Sequence, residues 1–106
     1  MIFQTLIVKL IDHLLMLLLN PATCEHGLYR VNELKNNSSG LFVAIEQQVE
    51  KKFIDRCADM AINERTYTKA KQIASMVNRN EYGIFKDFPI NVKRRIDEKK
   101  NEAKSV

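Results

Sequence analysis

"FVAIEQQVEKKFIDRCADM", residues 42–60, decides the fold class. Phe42, Ile45, Val49, Phe53, Cys57 and Met60 recur in steps of three and four, which places them on one face of a helix five turns long. Glu46, Glu50, Lys51, Asp55, Arg56 and Asp59 fall on the opposite face. Such a stripe needs other helices to cover it, because an isolated amphipathic helix is marginal in water. Ser38 or Ser39 is suited to cap this helix at its start.

Outward from it, the punctuation is helical as well. "NNSSG", residues 36–40, is the clearest break before the stripe. After it, "INERT", residues 62–66, reads as a short connection with Asn63 or Thr66 as the next cap. Tyr67, Ala70, Ile73, Ala74 and Val77 form a further stripe. "NRNEYG", residues 78–83, ends that helix, with Gly83 suited to a left-handed position. A weaker helix is expected over 27–36, with Leu28, Val31 and Leu34 on one face. "IFKDFP", residues 84–89, reads as an aromatic linker that tucks Phe85 and Phe88 onto the rest. The chain has only three Gly and two Pro in 106 residues. That is few for an all-β chain with a turn every 8–12 residues or so. No internal repeat is visible.

The first nineteen residues raise a different question, since fourteen of them are apolar. As a helix they reach about 28 Å, near the thickness of a bilayer core. Lys9 and Asp12 each cost about 3 kcal/mol in a membrane and nearly cancel the gain of about 7 kcal/mol from the apolar residues. Thr5, Lys9, Asp12 and His13 form one narrow polar stripe, and Lys9 and Asp12 are spaced to pair. A buried or dimerising helix is therefore expected ahead of a membrane anchor. No basic residue precedes Val8, and Pro21-Ala22-Thr23 is a poor cleavage site, so a secretory leader is not expected. Asn20-Pro21 ends the helix.

The expected architecture is all-α, a small bundle of four to five helices with an apolar first helix and an exposed basic C-terminal helix. Residues 1–89 form the bundle domain and 90–106 a basic helix or tail. The core is expected at Ile7, Leu14, Leu18, Phe42, Ile45, Val49, Phe53, Met60, Ile73 and Val77.

Little in the sequence resembles chemistry. Cys24-Glu25-His26 brings a thiol, a carboxylate and an imidazole together, but neighbours in a helix point apart. A zinc site would need two more ligands at motif spacing, and His13 and Cys57 have none. There is no phosphate-binding glycine loop or nucleophile elbow. No enzyme activity, catalytic residue, metal or cofactor is expected, and the two cysteines are expected as buried thiols in a reducing, cytoplasmic setting.

The net charge is +4 and the pI about 9.2. Two uses of the surface follow. The leading expectation is a non-catalytic protein-interaction module, an adaptor, subunit or small inhibitor. It would bind another protein or a second copy of itself through Phe3, Leu10, Leu17 and Leu19 of the first helix. The high Lys, Asn and Ile content is compatible with an origin in a mobile element. The alternative is a nucleic-acid-binding regulator using Lys93, Arg94, Arg95, Lys99 and Lys100, with phosphate contacts and a strong salt dependence. Asp97 and Glu98 interrupt that basic run, and are spaced to pair with Lys93 and Arg94. A helix-turn-helix around "INERT" would offer Lys69, Lys71 and Gln72 but lacks a turn glycine. A membrane-associated protein held by the first helix is the third class.

Overall fold

The computed structural model describes residues 2–37 and 39–104, with the side chains of Phe3, Ser39 and Leu41 outside the description. Five helices follow one another: α1 (Ile2–Leu18), α2 (Cys24–Asn37), α3 (Ser39–Ile62), α4 (Tyr67–Asn78) and α5 (Phe88–Lys104). No strand occurs among the described residues. The all-α bundle is as expected, with two shifted boundaries. α2 begins at Cys24, three residues before the expected Gly27. α5 begins at Phe88, inside the segment read as a linker, with Pro89 in its first turn, where a missing N–H costs nothing. The Ser38 capping position lies outside the described residues.

Each helix packs on the next and on the next but one. α1, α3 and α5 therefore make one layer and α2 and α4 a second, with α3 in the middle of the core. The radius of gyration is 14.2 Å, against about 13 Å for a close-packed domain of this length. The extents of 41 × 32 × 21 Å show the same flattening.

The two helical hairpins turn by one device used twice. At Asn20–Thr23 the Asn20 side-chain oxygen accepts from the Ala22 N–H at 3.0 Å. The Thr23 hydroxyl donates to the Leu17 carbonyl at 2.8 Å. At Asn63–Thr66 the Asn63 oxygen accepts from the Arg65 N–H at 2.9 Å, and the Thr66 hydroxyl donates to the Met60 carbonyl at 2.7 Å. In both, the Thr carbonyl accepts from a small residue four positions on, Gly27 or Ala70, at 2.9 Å. The turn thus satisfies carbonyls that a helix end leaves without partners. It is a repeat of Asn-x-x-Thr and not of the hydrophobic pattern, which is why the sequence reading found none. Thr66 does precede α4 as expected, but its hydroxyl closes α3 and makes no cap bond into α4. Thr23→Val and Thr66→Val are each expected to cost about 1–2 kcal/mol by leaving a carbonyl unpaired, read as a drop in urea midpoint. A loss under about 0.3 kcal/mol at both would show that the turns do not depend on the hydroxyls.

Small residues after the turns let the helices approach. A Cβ on Gly27 would lie 3.0 Å from the Leu18 backbone nitrogen and 3.1 Å from the Leu17 Cβ. Eight of the ten expected core residues are fully buried, and Ile7 and Met60 are half-buried against them. Phe53, at the centre of α3, stacks edge-on to Phe85 with ring centroids 5.8 Å apart and lies 4.3 Å from Phe88. These three rings fasten the start of α5 to α3. Phe85 holds a left-handed φ of 52°, and Gly83 one of 71°. The Phe85 carbonyl accepts from the Phe88 N–H at 3.1 Å, so the strained turn also starts α5.

Candidate functional site

Two surfaces stand out: the outer face of α1 and the seam between α3 and α5.

On α1, the buried residues are Ile11, Leu14, Leu15 and Leu18, all in its C-terminal half. From Ile2 to Leu10 no described side chain is fully buried. Ile7 is the first described side chain packed on the core, so the helix runs about 7.5 Å beyond it, at 1.5 Å per residue. Ile2 is 80% exposed, Leu6 58%, Val8 52% and Met16 73%. The expected partner-binding set is placed differently. Leu10 and Leu19 are half-buried against the core, and Leu17 is half-buried close to Gly27. Phe3 lies on α1, with its side chain outside the described residues. Ile2, Leu6 and Met16 lie on the helix face turned away from α2 and α3, the face that the stripe of Thr5, Lys9, Asp12 and His13 already marked, whereas Val8 lies nearer the buried side and is exposed because it precedes the first fully buried residue. Lys9 and Asp12 form no ion pair with each other among the described residues.

The basic C-terminal helix is docked. Arg95 Nε bonds the Asp55 carboxylate on α3 at 2.8 Å, and its Nη1 reaches Glu98 at 3.0 Å and Glu102 at 3.2 Å. Lys99 Nζ lies 3.0 Å from Asp55 and 2.8 Å from Asp59. Two of the five expected nucleic-acid contacts, Arg95 and Lys99, are therefore spent on holding α5 to α3. Glu98 pairs with Arg95 and not with Arg94, and Lys93 forms no pair with Asp97. Lys93, Arg94 and Lys100 are exposed and make no ion pair among the described residues. Beside this network, Gln48, Lys51, Lys52 and Ile54 line an open groove of about 880 Å³.

The network sets the local titration. Hydrogen bonds from Arg95 and then Lys99 hold the Asp55 carboxyl below its ordinary range. Bonds to Asp59 and Asp55 raise Lys99. Glu50, nearby on α3, is pushed up by partial burial and by the like charges of Glu46 and Asp87. Because the Asp55 carboxyl is lowered on folding, its contribution to stability is present above the ordinary value near 3.8 and is lost as pH falls through the folded value. Asp55→Asn removes this part. Its urea midpoint should fall less than that of the native chain between pH 7 and pH 3. The effect is small because Asp55 is 41% exposed and solvent screens it. Equal falls would show that Asp55 does not help to hold α5.

Cys24, Glu25 and His26 form the first turn of α2 and point apart: Cys24 is buried, and the other two are exposed. Cys24 and Cys57 are both unoxidised and buried. Burial pushes Cys24 up to about 11 and Cys57 up to about 12, the latter also through the neighbouring Cys24. The Cys57 thiol points to the Ala70 carbonyl at 3.9 Å. Such thiols are almost wholly protonated at neutral pH and are poor nucleophiles. Among the described residues no three His, Cys, Asp or Glu side chains gather as a metal would require, and no helix is long and apolar enough to cross a membrane.

Compared with protein families, with curated proteins and with solved structures, the chain gives no match.

Proposed function

We propose that the protein is a non-catalytic interaction module that docks on a protein surface through the outer face of α1. The observation that carries this reading is the outer face of α1, where Ile2, Leu6 and Met16 are exposed beside the polar stripe of Thr5, Lys9, Asp12 and His13. Exposed apolar side chains grouped on one face of a folded domain mark a contact site. An adaptor, a subunit or a small inhibitor of a larger assembly would use such a face. The test is the size of the protein in an extract of the cells that make it. Gel filtration should show the native chain above the mass of its 12.3 kDa monomer. A Leu6→Glu, Met16→Glu chain should elute as the monomer. A native chain that elutes as a monomer in the extract would end this reading.

A second reading rests on one observation, that Lys93, Arg94 and Lys100 are exposed on α5 and form no ion pair among the described residues. These would serve a nucleic-acid-binding regulator through phosphate contacts. The discriminating variant is Lys93→Glu with Arg94→Glu, because Arg95 is committed to Asp55. It would abolish a salt-dependent shift of duplex DNA or RNA and leave the α1 complex intact.

A further inference from the structure

The repeated turn belongs to a longer repeat of charge. "KLIDH" (residues 9–13), "KFIDR" (52–56) and "RIDEK" (95–99) recur at one constant spacing, the same that separates Asn20 from Asn63. They lie on α1, α3 and α5, the three helices of one layer. Asp12, Asp55 and Glu98 therefore hold equivalent places. So do Lys9, Lys52 and Arg95, and again His13, Arg56 and Lys99.

The two seams of the layer use these places differently. Across α3 and α5, Arg95 and Lys99 stand one turn apart and hold the Asp55 carboxylate at 2.8 and 3.0 Å. The equivalent residues across α1 and α3 are Lys52, Arg56 and Asp12. All three are exposed, and none forms an ion pair among the described residues. Lys52 and Arg56 are thus the same two-pronged cation pair with no carboxylate in it. Both line the groove of about 880 Å³, together with Lys51 and the half-buried Ile54.

We propose that Lys52 and Arg56 receive the carboxylates of a partner protein, presented on an acidic helix laid in this groove. The proposal stands apart from the outer face of α1 and does not depend on it. Asp55 shows the chemistry that such a pair accepts, charge-assisted bonds from two donors to one carboxylate. A helix with acids one turn apart places them on one side and leaves its apolar side for Ile54. A nucleic acid is the poorer fit. Its backbone carries a charge on every unit, and some would fall on Glu50 and Glu98, which line the same groove.

The probe is a fluorescein-labelled synthetic helix with glutamates one turn apart beside leucines, titrated with the full chain and read by anisotropy. Binding should saturate and weaken with salt. Lys52→Glu with Arg56→Glu should weaken it about tenfold or more, and a probe with lysines for glutamates should regain binding to that variant. Lys52→Gln with Arg56→Gln, which adds no repulsion, should show a smaller loss in the same direction. Lys93→Glu with Arg94→Glu on α5 should bind the probe as the native chain does. Equal weakening by the α5 variant would reduce the effect to the general attraction of a basic protein and would overturn the proposal. So would a probe that never saturates, or labelled duplex DNA that binds and is lost with Lys52 and Arg56 while the acidic helix is not. The proposal also fails if Asp12→Asn lowers the urea midpoint only when Lys52 and Arg56 are present, since Asp12 then fills the pair from within.

Discussion

Phe53→Ala is expected to lower the stability of the domain by about 3–5 kcal/mol, as measured by guanidinium unfolding. Phe53 is fully buried at the middle of α3, and its ring meets both Phe85 and Phe88. Removing it leaves a cavity where the two layers and the start of α5 converge. The loss should not be uniform. Amide exchange across Phe88–Lys104 should rise more than in α1 or α2, because the aromatic anchor is lost and only the ion pairs of Arg95 and Lys99 remain to hold α5. A cost under about 1.5 kcal/mol, typical of a site that collapses easily, would show that the three-ring contact is not the centre of the fold. Roughly 4–8 °C of melting temperature go with each kcal/mol in a domain of this size, so the expected fall exceeds 12 °C.

Gly27→Leu is expected to have the next largest effect, and Gly27→Ala to have the opposite sign to its helix propensity. In an exposed helix, Gly→Ala stabilises by about 0.5–1 kcal/mol. At Gly27 even a Cβ would meet the Leu18 backbone nitrogen at 3.0 Å, and backbone cannot rotate away as a side-chain tip can. Alanine there should cost about 1–2 kcal/mol, and leucine about 3 kcal/mol or more by prising α1 from α2. Gly40 is the control, since nothing lies within 4 Å of a Cβ built on it. Gly40→Ala should raise the melting temperature by a few degrees. If Gly27→Ala rises with it, the close approach of α1 and α2 is not a constraint.

Both variants belong to features that differ in how far the sequence revealed them. The periodicity of Phe42 to Met60 already placed Phe53 in a core, because a stripe on a charged helix has only one face to bury. The partners of that ring were not legible. Phe85 and Phe88 sit in a segment with no periodicity, and their meeting with Phe53 depends on a left-handed turn at Phe85 that a non-glycine residue rarely adopts. Gly27 read as the start of a helix. Its role as a contact point appears only once Thr23 has turned α2 back onto α1.

The charged residues show the same division. Local spacing suggested pairs within α5, Lys93 with Asp97 and Arg94 with Glu98. Such pairs are worth a few tenths of a kcal/mol, and neither forms, with Glu98 turning to Arg95 instead. Once the aromatic anchor brings α5 beside α3, Arg95 and Lys99 reach Asp55 and Asp59, and the basic helix becomes partly neutralised by its own domain. No sequence signal at a separation of forty residues could show this.

What the sequence determined by itself is the all-helical class, most of the core and the breaks between helices. These follow from periodicity and turn chemistry, which act over a few residues. The tertiary structure decided how far along α1 the core extends and which cations remain unpaired among the described residues. The stripe of Thr5, Lys9, Asp12 and His13 already marks one face of α1 as the outer one, but it does not say which apolar residues beside it stay uncovered. Only the packing of Ile11, Leu14, Leu15 and Leu18 against α2 and α3 leaves Ile2, Leu6 and Met16 outside.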